Sequence, residues 1–152
     1  MKELRGSAAV AVGASADECF ELLVAVEGYP TWYPEVVREV EVVERDPSGG
    51  ASRARTKLHV SQGPLAKDFD LLMAVSAQRP TRVTLGRIRN DARDAEEFEV
   101  SWYVDSPAGT LIRLELRANL SVPRLLPVGG IGNSIAQGFV AAAARAVAAG
   151  RA

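Results

Sequence analysis

The chain predicts an α+β protein in which an antiparallel sheet, apolar on one face, is covered by a single long C-terminal helix. Three observations predict it. From Val36 to Leu120 apolar and polar residues alternate with a period of two, the pattern of strands buried on one side only. The connections "DPSGG", "SQGP", "AQRPT" and "DSPAG" are short and rich in turn formers, which suits hairpins between sequential neighbours. The segment from about Ile131 to Ala148 carries Ile131, Ile135, Phe139, Ala142, Ala146 and Val147 at helical spacing, and no other stretch is long enough to cover the sheet.

In chain order, Ser7 to Val12 reads as a short strand. Ser15 then begins a helix, because a serine with Glu18 three residues later forms a capping box. Ala16, Cys19, Phe20 and Leu23 share one face of that helix. The stretch "YPTWYP" (29–34) follows, and its two prolines leave room for at most a short turn around Thr31 to Tyr33. Next come the apolar sets of six strands. Val40 and Val42 belong to the first, and Ala54, Thr56, Leu58 and Val60 to the second. Phe69, Leu71, Met73 and Val75 make the third, followed by Val83 and Leu85. Phe98, Val100, Trp102 and Val104 make the fifth; Ile112, Leu114, Leu116 and Leu120 make the last. A strand, two helical pieces, six strands and one long helix give a curved seven-stranded sheet that must close its apolar face with the last helix.

At 152 residues this reads as one domain, 1–152, large enough for a real core. With 18 basic against 19 acidic residues, a nucleic-acid partner is disfavoured. One cysteine excludes an internal disulfide framework. The N-terminus lacks the pattern of a signal peptide, and no apolar run has the roughly 18 residues of a transmembrane helix. A soluble, cytoplasmic protein without an integral membrane segment is expected.

The chemistry-bearing residues are few. His59, the single histidine, continues the outward face of Arg53, Arg55 and Lys57, so a surface position is expected. One His and one Cys cannot build the usual zinc cluster, and no metal or other cofactor is expected. Cys19 lies on the apolar stripe of its helix and reads as a small hydrophobe. The glycines of "VGGIGNS" are not followed by the Lys-Ser/Thr of a phosphate loop. Opposite charges should meet across strands, Asp68 and Asp70 beside Arg55 and Lys57, and Glu97 and Glu99 beside Arg113 and Arg117.

What remains is a pocket. Tyr29, Trp32 and Tyr33 offer apolar bodies with polar edges, suited to a pocket rim or to a plug at the end of the core. Gly138, Ala142 and Ala146 give the last helix little bulk on its inner stripe; over a curved sheet this favours a cavity over close approach. Two polar side chains break the inward pattern. Thr56 lies on the inward face. Arg87 follows Val83 and Leu85 in register and binds an anionic group at the pocket mouth, unless Gly86 makes a bulge that turns it outward.

The order of elements, together with "ECFELLVAVEGYPTWYPEVVREVEVVERD", resembles the polyketide cyclase/dehydrase and coenzyme Q-binding branch of the START-like (SRPBCC, helix-grip) superfamily. Tyr29, Pro30, Trp32 and Pro34 match its Tyr-Pro-x-Trp-x-Pro segment, and "LSVPRLLPVGGIG" is similar to its loop before the last helix. The resemblance implies a helix-grip fold with a cavity between sheet and helix that takes an apolar molecule, and it transfers no catalytic residue. The expected wall comprises Tyr29, Trp32 and Tyr33, then Thr56, Leu58, Phe69, Leu71, Met73, Leu85 and Arg87, then Phe98, Val100, Trp102, Leu114, Ile135 and Phe139. Three functions fit: binding or transport of a small hydrophobic molecule such as a polyketide, quinone or lipid; metal-free cyclisation or dehydration of an aromatic polyketide; and protein interaction through the Ala-rich last helix.

Overall fold

The structure, a computed structural model, describes residues 2–63, 65–89, 93, 95–106, 109–120 and 130–150. Its elements are β1 (Lys2–Val12), α1 (Ala16–Val24), a 3-10 turn (Val26–Gly28), α2 (Tyr29–Trp32), β2 (Val37–Arg45) and β3 (Ala51–Gln62). They continue with β4 (Leu65–Gln78), β5 (Arg82–Arg87), β6 (Glu97–Asp105), β7 (Thr110–Leu120) and α3 (Ile131–Gly150). The seven strands form one antiparallel sheet in the order β1-β7-β6-β5-β4-β3-β2. Strands β2 to β7 run as a meander, and β1 joins beside β7. Helix α3 packs chiefly on β1 and β7 and reaches across to β3, so the sheet grips it. This is the α+β arrangement that the alternation and the terminal helix predict, with the helix grip that the resemblance implies.

Several boundaries differ from expectation for physical reasons. Strand β1 begins at Lys2 rather than Ser7. Its first half has only Leu4 among charged residues, too little for a period to register. Pairing with β7, from Lys2↔Leu120 onward, recruits it, and Leu4 is buried. The turn expected at Thr31 to Tyr33 lies earlier, as the 3-10 turn and α2; Pro30 sits in the first turn of α2, where a missing N–H costs nothing. No bulge forms at Gly86, because Val75↔Leu85, Ala74↔Gly86 and Met73↔Arg87 pair without a break. Most of "LSVPRLLPVGGIG" lies outside the described residues.

The capping box is present. The Ser15 hydroxyl accepts from the Glu18 N–H at 3.2 Å, and the Glu18 carboxylate accepts from the Ser15 N–H at 3.3 Å. Cys19, Phe20 and Leu23 of α1 are buried. On the outer sheet face, Lys57 lies opposite Asp70 and reaches Glu39 at 3.6 Å; Arg55 reaches Asp70 at 3.4 Å and His59 reaches Asp68 at 2.6 Å. His59 is thus on the surface, as its register predicts. Arg117 lies opposite Glu99 and 3.8 Å from Glu97. Arg113 departs from expectation: it stacks on Tyr103 and pairs with Asp105 and Glu115, since Tyr103 is its cross-strand neighbour. Such exposed pairs contribute roughly 0–1 kcal/mol each, so they keep the face soluble more than they hold it together.

The inner side is held by close approach. A Cβ on Gly132 would stand 2.2 Å from the carbonyl oxygen of Arg5, and one on Gly6 would stand 2.0 Å from that of Gly132. Helix and strand therefore touch backbone to backbone, and the Ser7 N–H donates to Asn133 Oδ1 at 3.0 Å beside that contact. Ala136, Ala142 and Ala143 are fully buried farther along α3. The small residues of the helix thus serve approach rather than space. Gly138 faces the Tyr33 hydroxyl, 2.4 Å from where a Cβ would lie.

Two outcomes are expected in urea unfolding. Gly132→Ala should lose about 2–3 kcal/mol, because its neighbours are backbone that cannot yield. Gly138→Ala should be near neutral, since a tilt of the Tyr33 ring offsets a helix-propensity gain of up to ~1 kcal/mol. Equal losses would show that α3 is not pinned at its first turn. Ser15→Ala should cost about 1 kcal/mol and Ser15→Asp should recover most of it; an unchanged midpoint for Ser15→Ala would remove the capping box from the stability of α1.

Candidate functional site

The inner face of the sheet meets α2 and α3 around a void of about 30 Å³, room for about one or two water-sized molecules. Strand β3 contributes Thr56 and Leu58 to its wall, β4 Met73, β5 Leu85, and β6 Phe98, Val100 and Trp102. Tyr29 comes from α2, Val37 from the start of β2 and Phe139 from α3. The residues of β3 to β6 are there by parity, since alternate side chains share one face, whereas Val37 precedes the register shift of β2 between Val37 and Glu39.

Nine of the sixteen residues expected in the wall therefore surround the void: Tyr29, Thr56, Leu58, Met73, Leu85, Phe98, Val100, Trp102 and Phe139. The others lie around it. Phe69 packs on Phe98 with ring centroids 6.1 Å apart. Leu71 is the cross-strand partner of Thr56, and Leu114 that of Trp102. Ile135 is buried on α3, one turn before Phe139. Tyr33 meets Phe139 edge-on at 4.9 Å, and Trp32 stacks beside Tyr33 at 6.4 Å. Gly138, Ala142 and Ala146 do not line the void, which touches α3 only at Phe139 among the described residues.

The hydroxyls of the wall are already engaged. Tyr29 donates to the Leu23 carbonyl at 2.5 Å, and Thr56 donates to the Leu71 carbonyl at 3.3 Å. Burial pushes the Tyr29 hydroxyl far above the ordinary tyrosine range, with the Trp102 indole N–H pulling weakly the other way and Glu27 adding a small upward push. The Tyr29 oxygen, which donates to Leu23, is the acceptor beside that N–H. Trp32 Nε1 is buried and unpartnered among the described residues. Burial likewise raises Tyr33, helped by Glu35 and opposed by Arg145. Cys19 is buried and free, and burial raises its thiol.

At one end of the sheet the inward face turns polar. Lys67 shares the parity of Leu65 and Phe69, and its ammonium lies 5.0 Å from the centroid of the Phe69 ring and 3.3 Å from Glu96 Oε2. Arg87, opposite Met73, donates from Nη1 to the Glu96 carbonyl at 2.8 Å. Among the described residues, Lys67, Arg87 and Glu96 thus group together, with the Lys67 ammonium over the Phe69 ring. Of these neighbours, sequence reasoning named Arg87 and did not name Lys67, Glu96 or, at the void, Val37. The signal for Lys67 was its position two residues before Phe69 in an alternating run.

Solved structures share this architecture. The START superfamily protein from Mycobacterium smegmatis superposes with a TM-score of 0.76 at 17% identity, covering 95% of this chain and 97% of that one. Norcoclaurine synthase from Thalictrum, solved as a point mutant with a transition-state analogue, gives 0.64 at 12% identity over 99% and 98% of the two chains. The di-domain ARO/CYC StfQ of the steffimycin biosynthetic pathway gives 0.64 at 13% identity, covering 94% of this chain and 50% of that one. At these identities the likeness establishes the fold. No curated protein sequence matches the chain. Among the described residues no helix is long and apolar enough to cross a membrane. Residues 12–144 match the family model described as polyketide cyclase / dehydrase and lipid transport, and the chain belongs to that family.

Proposed function

We propose that this chain binds a small hydrophobic molecule, of polyketide, quinone or lipid-like character, between the sheet and α3, and holds it rather than converts it. The observation that carries this reading is the state of the wall. Among the described residues around the void, the side chains are apolar except for Tyr29, Thr56 and the indole edge of Trp102. Both hydroxyls already donate to backbone carbonyls. A general acid or base needs a pKa near the working pH and a proton free to move, whereas burial drives Tyr29 far from that condition.

The void is far smaller than such a ligand, so binding proceeds by parting side chains already in contact. Met73, Phe139 and Leu85 would move first, and Phe69, Leu71, Leu114 and Ile135 would then form the enlarged wall. Trp32 and Tyr33 close one side of it. The polar end is its mouth, where Arg87 and Lys67 receive any charged or polar head group. The exposed side of α3 carries Asn133, Ser134, Gln137, Ala141 and Arg145, and the large exposed apolar residue among those described is Val43 on β2, which offers little for docking through the helix. A buried, unbridged Cys19 suits a reducing compartment, so we read the protein as cytoplasmic.

The test is native mass spectrometry of the protein purified from its own host, with a thermal-shift panel of quinones, fatty acids and aromatic ketones. A co-purifying apolar compound, or a Tm rise that Val100→Phe abolishes by filling the void while the variant still unfolds cooperatively, is the expected result. A clean apo mass with no shift across the panel would end the binding reading. Turnover of a bound ketone would replace it with catalysis.

A further inference from the structure

We infer a second site on the outer face of the sheet, a groove that takes a small zwitterion whose carboxylate and amine stand about 7 Å apart, the spacing of the two ends of an extended dipeptide. The groove has a volume of about 430 Å³ and crosses β5, β6, β7 and β1, with Arg82, Ser101, Glu115 and Ser7 among its lining residues. Register explains its shape. Thr84 lies opposite Ser101, Ser101 opposite Glu115, and Glu115 opposite Ser7, so short side chains occupy most of one row. The rows on either side carry long ones, Arg82 and Tyr103 in one, Glu99 and Arg117 in the other. These residues have the opposite parity to Leu85, Val100 and Trp102, so the groove is separate from the void.

Most charges round the groove are already paired: Arg5 with Glu3, Arg117 with Glu97 and Glu115 with Arg113. Two are not. Arg82 makes no ion pair among the described residues; its guanidinium lies against the Tyr103 ring, 5.1 Å from the centroid, and its Nε is buried without a hydrogen-bond partner. Stacking on a ring fixes the plane of a guanidinium and leaves its N–H edge for a carboxylate. A further donor lies in the next row. Ser101 is buried, and its hydroxyl is 3.4 Å from that of Thr84. Two hydroxyls joined by one hydrogen bond leave one proton unspent. Glu99 is the second unpaired charge, exposed and without an ion pair or hydrogen bond among the described residues. It lies two residues from Ser101 on the same face of β6, a step of about 6.6 Å. A carboxylate held over Ser101 by Arg82 therefore puts the amine of a dipeptide at Glu99. A simple anion would leave Glu99 unmatched and meet its repulsion.

The test titrates glycylglycine into 15N-labelled protein, alongside glycylglycinamide, which lacks the carboxylate, and N-acetylglycylglycine, which lacks the amine. The dipeptide should move the amide peaks of Glu99, Ser101 and Tyr103 and leave those of Leu58 and Met73 at the void in place. It should bind about tenfold more tightly than either derivative. Arg82→Gln should abolish its advantage over the amide, and Glu99→Gln its advantage over the acetylated form, with urea midpoints near that of the parent protein. If a variant does not fold, the ranking of the three probes on the parent protein decides the matter. Equal binding of all three, or peaks that move only at the void, overturns the inference. So does either derivative binding as well as the dipeptide, which would leave a site for one charge alone. No shift at millimolar dipeptide overturns it too. The reading of the void stands apart from each of these outcomes, since its residues face the other way.

Discussion

The fold depends on how closely α3 can approach β1. By hydrogen-bond order β1 is an edge strand, and a curved sheet needs one edge brought up against the helix it encloses. Gly6 and Gly132 make that contact because neither carries a side chain between the two backbones. Asn133 then occupies the Ser7 N–H of the strand edge, a donor that would otherwise be open to pairing with another chain. Two helical turns after Gly132, on the same face, comes Phe139. The glycine contact therefore sets where the one large aromatic ring of α3 meets the sheet, and with it the depth of the interior.

The crowded segment "YPTWYP" supplies the other half of that closure. Pro30 lies in the first turn of α2 and Pro34 follows its end, so the prolines set a short helix rather than merely breaking a long one. Tyr29, Trp32 and Tyr33 then reach Trp102 and Phe139 through tilted, stacked and edge-on contacts with centroids 4.9 to 6.4 Å apart. Contacts of this type contribute roughly 0.5–1.5 kcal/mol each beyond their buried area. Five rings drawn from α2, β6 and α3 thus join three elements that are distant in sequence. The segment is plug and wall together, since Tyr29 borders the void while Trp32 and Tyr33 fill the space behind it.

A nearly filled interior has a consequence for binding. Cores are packed to near-crystalline density, so a cavity for a ring-sized ligand exists only in a state where these contacts have opened. Occupying such a state lowers the apparent affinity by its population, and a ligand overcomes that only through contacts it makes in the opened form. Flexible Met73 lies where such contacts would form. The charged cluster of Lys67, Arg87 and Glu96 borders Met73, whose cross-strand partner is Arg87.

Much of this was legible in the sequence, because a period of two and a period of 3.6 are local properties of backbone geometry. Inward parity placed Thr56, Met73, Leu85, Val100 and Trp102 on one face, and the capping box at Ser15 set the start of α1. The same rule placed Arg87 once the absence of a bulge was known, and that absence is a matter of pairing with β4. Tertiary structure alone decided the rest. Small residues on a helix are compatible with a void or with contact, and only the seating of Gly132 on Arg5 chose contact. Strand β1 gained its first half from β7, not from its own pattern. Lys67 joined a charged cluster because Glu96, far along the chain, lies beside it. Periodicity assigns each side chain to a face, but what it meets there depends on residues that only the folded chain brings together.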